Sequence, residues 1–171
     1  SFARAAAKRV LAEAAGHVGR DHPLAIDADT PTVRFIDADG GSAHPDFKQV
    51  ERLPNKTGTA LARNITVDQV RELAGLFEST PALGSWRVVV IDSVDDLEKG
   101  AANALLKMLE EPPANCVFFL VAHAPGRLLP TIRSRCRLLR FSPLGAEDVA
   151  TILRRELPEA NEAEIGTLVR A

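Results

Sequence analysis

The feature that most constrains the fold is a pair of continuous apolar runs separated by one amphipathic segment. The runs are "WRVVVID" (residues 86–92) and "CVFFLVA" (residues 116–122), and neither alternates between polar and apolar positions. Continuous runs of this length are typical of strands buried on both faces, as in parallel sheets covered by helices. The intervening residues 98–113, "EKGAANALLKMLEEPP", predict a helix with its leucines facing inward that Pro112 and Pro113 terminate. We therefore expect an α/β fold with a parallel sheet flanked by helices.

Weaker patterns complete the expected order of elements. Three more segments favour strands: "TVRFI" (32–36), "FKQVERL" (47–53) and "CRLLRF" (136–141). Helical spacing predicts helices over 1–15, with Ser1 as a possible cap, over 65–77, and over 146–157 and 161–170. Residues 127–135 predict a short helix or turn, and "DADGG" (37–41) predicts a turn. We expect a first domain over 1–142 and the beginning of a small helical domain over 143–171.

Composition narrows the class of protein. The chain has 171 residues, 46% of them hydrophobic and 26% charged, with a net charge of −2, so no global basic field predicts a nucleic-acid coat protein. Cys116 and Cys136 are too few for a structural zinc site, and we expect both to be buried free thiols. No apolar run approaches the ~20 residues that a membrane span needs. These features predict a cytoplasmic protein.

Asp92 ends the first of the two apolar runs, where parallel sheets bind their ligands. An acid at that position either caps the strand or holds Mg²⁺ on a nucleotide phosphate, as a Walker B aspartate does. The next residue is Ser93, which cannot act as the base that orients an attacking water. No glycine-rich loop ending in Lys-Ser/Thr is present, so the sequence shows no phosphate-binding loop of its own.

Arginines are concentrated in "RLLPTIRSRCRLLRF" (127–141), where five of them are mixed with apolar residues. A guanidinium keeps its charge inside a protein, so these side chains must reach water or an anion. They form either a solvated fringe or a site in which at least one arginine contacts an anion from another molecule.

Several motifs together resemble one known family. The stretch "ANALLKMLEEPPANCVFFLVAHAPGRLLPTIRSRC" closely resembles the DNA clamp-loader subunits, a branch of the AAA+ ATPases. The segments "HPDF", "ITVDQVREL" and "WRVVVID" agree with it in order, so the resemblance covers about residues 44–157. It implies an AAA+ core with a P-loop-type parallel sheet, followed by the start of a helical lid domain.

Within that family the pattern resembles the delta-prime branch of bacterial DNA polymerase III more than the ATP-hydrolysing gamma/tau branch. A gamma-type subunit is expected to have Glu at the position of Ser93, and a sensor Thr or Ser where Ala122 and His123 stand. The four-cysteine zinc module of many relatives is missing, so the resemblance implies no metal here. It also implies that the P-loop and the central strand of the sheet lie outside this chain, as part of a longer protein.

The resemblance assigns a role to one arginine. In clamp loaders the "SRC" arginine of one subunit reaches the ATP site of its neighbour and contacts the γ-phosphate as an arginine finger. By residue match this is Arg135, with Ser134 and Cys136 as its motif. Arg133, Arg137 and Arg140 are expected to be solvated or to make contacts within the domain.

The resemblance also implies partners. They are the gamma/tau and delta clamp-loader subunits, the sliding clamp and, through the complex, primer–template DNA. Lys107 lies on the helix that lines the DNA chamber in relatives, and it either contacts a phosphate or pairs with Glu110 or Glu111. No cofactor is expected on this chain itself; ATP and Mg²⁺ would bind the neighbouring subunit, and no intrinsic ATPase activity is expected.

Three alternatives remain open at this stage. The first is a gamma/tau-type ATPase subunit whose P-loop lies outside these residues. The second is a subunit like those of replication factor C, or another AAA+ remodeller. The third is an α/β nucleotide-binding enzyme unrelated to clamp loaders, in which the arginines are only structural.

Overall fold

The computed structural model describes residues 1–38, 43–55 and 57–170, and divides the chain into two compact units, Ser1–Cys136 and Arg137–Ala171. The expected domain boundary at 142/143 remains a prediction. The predicted turn at 37–41 lies partly outside the described residues. None of the helices in the described ranges is both long enough and apolar enough to span a membrane.

The first unit contains a three-stranded parallel sheet in the order β1-β2-β3. Its strands are β1 (Phe47–Glu51), β2 (Arg87–Asp92) and β3 (Cys116–Val121). Its helices are α1 (Phe2–Ala14), α2 (Pro31–Asp37), α3 (Val67–Arg71), α4 (Leu73–Phe77), α5 (Lys99–Glu110) and α6 (Pro130–Arg133). The predicted α/β fold with a parallel sheet is therefore confirmed.

Side chains on the two faces of the sheet pack into separate apolar clusters. Val88 and Val90 of β2 pack on one face with residues of α1, including Ala7 and Leu11. On the other face Val89 and Ile91 pack with residues of α3, α5 and α6. Because side chains alternate between the faces of a strand, an unbroken run of valines supplies both clusters at once.

One predicted strand is wrong: "TVRFI" belongs to helix α2. Pro31 occupies the first turn of this helix, where its fixed φ favours helical geometry and no amide hydrogen is needed. Thr32, Val33 and Ile36 are buried, a spacing that fits one face of a helix rather than the alternation of a strand. Burial of this face decides the structure against the strand preference of Thr, Val and Ile.

The predicted strand "CRLLRF" is also absent, because residues 136–141 pair with no strand in the described part of the chain. A strand is defined by its hydrogen-bonded neighbour, and the apolar pattern of this segment cannot supply one. Leu138, Leu139 and Phe141 are exposed as a result.

Strand β3 is less buried than the sequence predicts. All six of its residues are half-buried, whereas five of the six in β2 are fully buried. The difference follows from position, because β2 is paired on both sides and β3 lies at the edge of the described sheet.

The second unit consists of two helices, α7 (Ala146–Glu156) and α8 (Glu162–Arg170), as predicted. Ala150 and Ile165 are its buried apolar residues. Arg154 donates two hydrogen bonds to the carboxylate of Glu162, through Nε at 2.9 Å and Nη2 at 2.8 Å. This two-point contact ties α8 to α7.

Candidate functional site

An open cleft of about 360 Å³ lies beyond the carboxyl ends of the strands. It is the place where parallel sheets bind ligands. The residues that line it are Glu51, Arg52, Leu61, Asp92, Ser93, Asp96 and His123. Asp92 therefore occupies the predicted position at the end of β2.

Asp92 has few strong contacts in the cleft. Its Oδ1 lies 3.9 Å from Nε2 of His123, whose side chain is largely exposed. Ser93 is buried, and its hydroxyl donates to Oδ2 of Asp95 at 3.1 Å. Ser93 is thus engaged in a structural hydrogen bond and has no basic group with which to activate water.

Asp95 joins the ends of two strands, a role that sequence reasoning did not assign. Its Oδ2 accepts the backbone N–H of His123 at 2.6 Å and of Ala124 at 3.4 Å, in addition to the hydroxyl of Ser93. The carboxylate therefore fixes the segment after β3 against the turn after β2. The sequence signal was only an acid shortly after a strand, which also fits the start of a helix.

The donor set of the cleft does not fit a magnesium–nucleotide complex. Asp96 is paired with Arg52 at 3.1 Å between Oδ2 and Nε, and Oε2 of Glu51 accepts from Nε2 of Gln49 at 3.0 Å. Among the described residues no group of three or more potential ligands surrounds a metal position. Asp92 is therefore the acid of the cleft without such a partner, and we assign no step of nucleotide chemistry to it.

The arginine-rich segment has a firm base in the core. Helix α6 follows Leu129, and its Ile132 is 2% exposed within the same cluster that holds Val89 of β2. Cys136 is half-buried against this cluster, and burial raises the pKa of its thiol, so the group is a neutral packing residue at neutral pH. Arg135 is thus flanked by two apolar anchors, Ile132 and Cys136.

The guanidinium of Arg135 is held at the surface by contacts with three residues. Nη2 lies 2.9 Å from Oε1 of Glu110, the last residue of α5. Nη1 donates to the carbonyl oxygen of Thr131 at 3.0 Å and to Oγ of Ser134 at 3.5 Å. Ser134 itself donates to the same Thr131 carbonyl at 3.1 Å. The side chains of Ser134 and Arg135 therefore share the Thr131 carbonyl as an acceptor.

The other residues singled out in the sequence make no contact like that of Arg135 among the described residues. Arg133, Arg137 and Arg140 are exposed, and the structure gives their side chains no ion pair within the described ranges. Lys107 is exposed on α5, and Glu110 pairs with Arg135 rather than with this lysine. Both cysteines are free, and burial raises the pKa of Cys116 to about 11.

Glu110 is the contact that sequence reasoning missed at this site. The sequence placed it beside Lys107 as a helix-surface partner, whereas the fold brings it to Arg135, 25 positions later. A signal was available, because α5 and α6 are separated by a single strand and a short connection. The exact pairing required the packing of α6 on the core.

Comparison with known proteins shows the family to which the chain belongs. The family model described as "DNA polymerase III, delta subunit" matches residues 20–145, which is more than half of the chain. The chain is 43% identical to DNA polymerase III subunit delta' of Pseudomonas aeruginosa over 117 residues, covering 68% of this chain and 34% of that protein. It is 40% identical to DNA polymerase III subunit delta' of Escherichia coli K12 over 125 residues, covering 73% of this chain and 36% of that protein.

A solved structure agrees in fold. The crystal structure of a DNA polymerase III gamma subunit-related protein from Thermotoga maritima matches with a TM-score of 0.50 at 31% identity. The match covers 67% of this chain and 38% of that one. The chain spans about a third of the length of the curated relatives it matches. On the family match and these identities, the chain belongs to the DNA polymerase III delta subunit family, in its delta-prime branch.

Proposed function

We propose that this chain is part of a clamp-loader subunit of bacterial DNA polymerase III, a cytoplasmic protein that helps load the sliding clamp onto primed DNA. In this proposal it assembles with gamma/tau and delta subunits and donates Arg135 in trans to the ATP site of a neighbour. Family membership supports the setting, and the relatives are named as subunits of that polymerase. The same membership sets aside the alternative of an unrelated nucleotide-binding enzyme.

One observation carries the role of Arg135: its guanidinium is partly exposed, while the backbone just before it is fixed by a residue buried in the core. Its side chain is 36% exposed, while Ile132, three residues earlier, is 2% exposed. A flexible surface arginine would lose rotamer entropy on meeting a ligand. Here the backbone is already fixed and the head is already hydrogen-bonded, so less ordering remains to be done.

The chemistry of an arginine suits the proposed task. A guanidinium is always charged, and its planar set of N–H donors matches the oxygens of a phosphate. During phosphoryl transfer, negative charge spreads over the equatorial oxygens of the γ-phosphate. An arginine supplied by a neighbouring subunit stabilises that charge and can accelerate turnover by ~10³–10⁵.

The cleft of this chain supports donation rather than hydrolysis. Asp92 is followed by a serine that is bonded to Asp95, and Arg52 neutralises Asp96. In the proposal, ATP and Mg²⁺ bind the neighbouring subunit, and this chain has no ATPase activity of its own. It contributes to the polymerase holoenzyme as a trans-activator of its neighbour.

Lys107 is proposed as a minor contact to DNA. Its side chain is exposed, and the acid it was expected to meet pairs with Arg135. Replacing Lys107 with alanine should weaken binding of the assembled complex to primed DNA and lower its salt dependence by about one phosphate contact. Equal salt slopes for the two complexes would remove Lys107 from the interface.

The test of the main proposal is the ATPase activity of a reconstituted complex. The gamma/tau and delta subunits are mixed with the full-length protein, as wild type, Arg135→Ala or Arg133→Ala, in the presence of clamp and primed DNA. Arg133 is a matched control because it is an exposed arginine two residues away in the same segment. We expect Arg135→Ala to lower kcat by at least ~10³ with normal assembly, and Arg133→Ala to have little effect.

Two results would contradict the proposed role of Arg135. If Arg135→Ala assembles and stimulates turnover as the wild type does, Arg135 does not act at the neighbouring ATP site. If both variants reduce turnover by the same modest factor, the segment acts through its general positive charge and not through one finger.

A further inference from the structure

Glu110 forms an ion pair with Arg135, the proposed arginine finger. It is the final residue of α5, and its Oε1 lies 2.9 Å from Nη2 of Arg135, two residues after α6 ends. Both residues belong to the same compact unit. Of the arginines between 127 and 140, Arg135 alone has a carboxylate partner among the described residues.

Two kinds of contact hold the guanidinium. Nη2 forms an ion pair with Glu110 Oε1 at 2.9 Å, and Nη1 donates to the Thr131 carbonyl and to Ser134 Oγ. A guanidinium carries five N–H donors, and no other partner for Arg135 is found within the described part of the chain. The Nε–H therefore remains for an external anion.

Stability does not account for this arrangement. The side chains of Arg135 and Glu110 are 36% and 43% exposed, and a pair in such surroundings contributes little to stability. Its effect on the orientation of the guanidinium is larger, because contacts at both Nη1 and Nη2 of one planar group restrict its rotation and its tilt. Small errors in the position of a reacting group can cost up to about 10²-fold in rate.

We propose that Glu110 is a positioning residue, which orients the guanidinium of Arg135 toward the phosphate of the neighbouring subunit. This inference rests on the function proposed above. Glu110 acts through Arg135 and does not touch the nucleotide. Thr131 contributes its backbone carbonyl, which substitution cannot remove, and of the two side-chain partners Glu110 lies closer to the guanidinium than Ser134 does.

The experiment uses the reconstituted complex with full-length protein carrying Glu110→Ala, Glu110→Gln, Arg135→Ala, or Glu110→Ala with Arg135→Ala. Glu111→Ala is the matched control, since Glu111 is an adjacent exposed glutamate with no ion pair recorded in the described residues. The readouts are kcat and KM for ATP, assembly by size-exclusion chromatography, and thermal unfolding of the isolated subunit.

We expect Glu110→Ala to lower kcat by roughly 5- to 50-fold with KM and assembly unchanged, because only the aim of the finger is lost. Glu110→Gln should restore part of the loss, since the amide oxygen still accepts a hydrogen bond, though a weaker one. The double variant should equal Arg135→Ala, because Glu110 has no route to the nucleotide without the arginine. Glu111→Ala should match the wild type.

Distinct results would overturn the inference. Wild-type turnover for Glu110→Ala beside a strong defect for Arg135→Ala would remove Glu110 while leaving the proposed function intact. A further loss in the double variant beyond Arg135→Ala would show that Glu110 acts independently. Loss of assembly in both Glu110 variants would assign the residue to the fold or the interface. Wild-type turnover for Arg135→Ala would overturn the proposed function, and this inference with it.

Discussion

Two carboxylates in the first unit, Asp46 and Glu110, contact polar groups in opposite surroundings. Asp46 is 2% exposed, and its two oxygens accept the backbone N–H groups of Ala82 and Leu83 at 2.7 and 2.8 Å. Glu110 is 43% exposed and forms an ion pair with a side chain that is itself partly exposed. We call the first contact the Asp46 anchor and the second the Arg135 clamp.

The difference shows how fold and function divide the polar groups. At the Asp46 anchor, a buried carboxylate is compensated by two backbone N–H donors. At the Arg135 clamp, either partner could be solvated by water at little cost. The fold needs the first contact, and the second arranges a cation for a use outside the chain.

The largest expected effect is a loss of unfolding free energy when the Asp46 anchor is removed. Replacing Asp46 with alanine removes two charge-assisted hydrogen bonds made by a buried carboxylate and should lower the free energy of unfolding by about 3 kcal/mol. Chemical denaturation of the full-length protein, followed by circular dichroism, measures it. The control is Asp68→Ala, since Asp68 is a largely exposed acid whose ion-pair partner among the described residues is Arg71. Equal losses for the two variants would contradict the role given to the anchor.

A smaller effect tests the anchor through pH. His44 is 3% exposed, and its Nδ1 accepts the backbone N–H of Asp46, which requires a neutral nitrogen. Burial lowers the pKa of His44 below its usual 6.5, with repulsion from His17 adding to this and attraction from Asp46 opposing it. The unfolded chain therefore binds the proton more readily, and this contribution to stability is present above pH 6.5 and lost as pH falls toward the folded pKa.

The His44 prediction is measured by comparing unfolding free energies of the wild type and His44→Asn between pH 7.5 and 5.5. Asparagine can accept the same N–H, because its side chain commonly bonds the backbone two residues later. The variant should lose less stability than the wild type over this range. Parallel curves would mean that another group sets the acid sensitivity.

The smallest expected change in stability concerns the clamp. Arg135→Ala should alter the free energy of unfolding by less than about 1 kcal/mol, because the pair with Glu110 is exposed and Thr131 can bond water instead. The same denaturation experiment applies. A loss as large as that of Asp46→Ala would make Arg135 a structural residue and would remove the contrast between the two regions.

The sequence predicted the parts of the fold that depend on local pattern. The continuous valine run of β2 and the helical spacing of the leucines in α5 are local patterns. Both elements therefore lie close to where the sequence predicted them. "TVRFI" misled because the burial of Thr32, Val33 and Ile36 depends on what α2 packs against, which local preference cannot show. "CRLLRF" misled because a strand depends on a neighbour that the segment itself does not specify.

The candidate site divides in the same way. Asp92 and Arg135 were found from motifs, since a strand end and an arginine after a short helix are visible in one dimension. Glu110, Asp95 and Asp46 act across 25 or more positions in the sequence, through contacts that exist only after the helices pack on the sheet. Their contacts were therefore not predictable, although the residues themselves were visible.

The most direct test of the account asks whether Arg135 meets the transferring phosphate. ADP with aluminium fluoride, which imitates the transition state of phosphoryl transfer, is bound to the reconstituted complex containing wild type or Arg135→Ala, and ATP binding is measured alongside. An arginine that acts in the transition state should strengthen binding of the analogue far more than binding of ATP. We expect the variant to weaken analogue binding by at least ~10-fold and ATP binding by less than ~3-fold. Equal changes for the two ligands, or none for either, would contradict the claim that this chain completes its neighbour's ATP site.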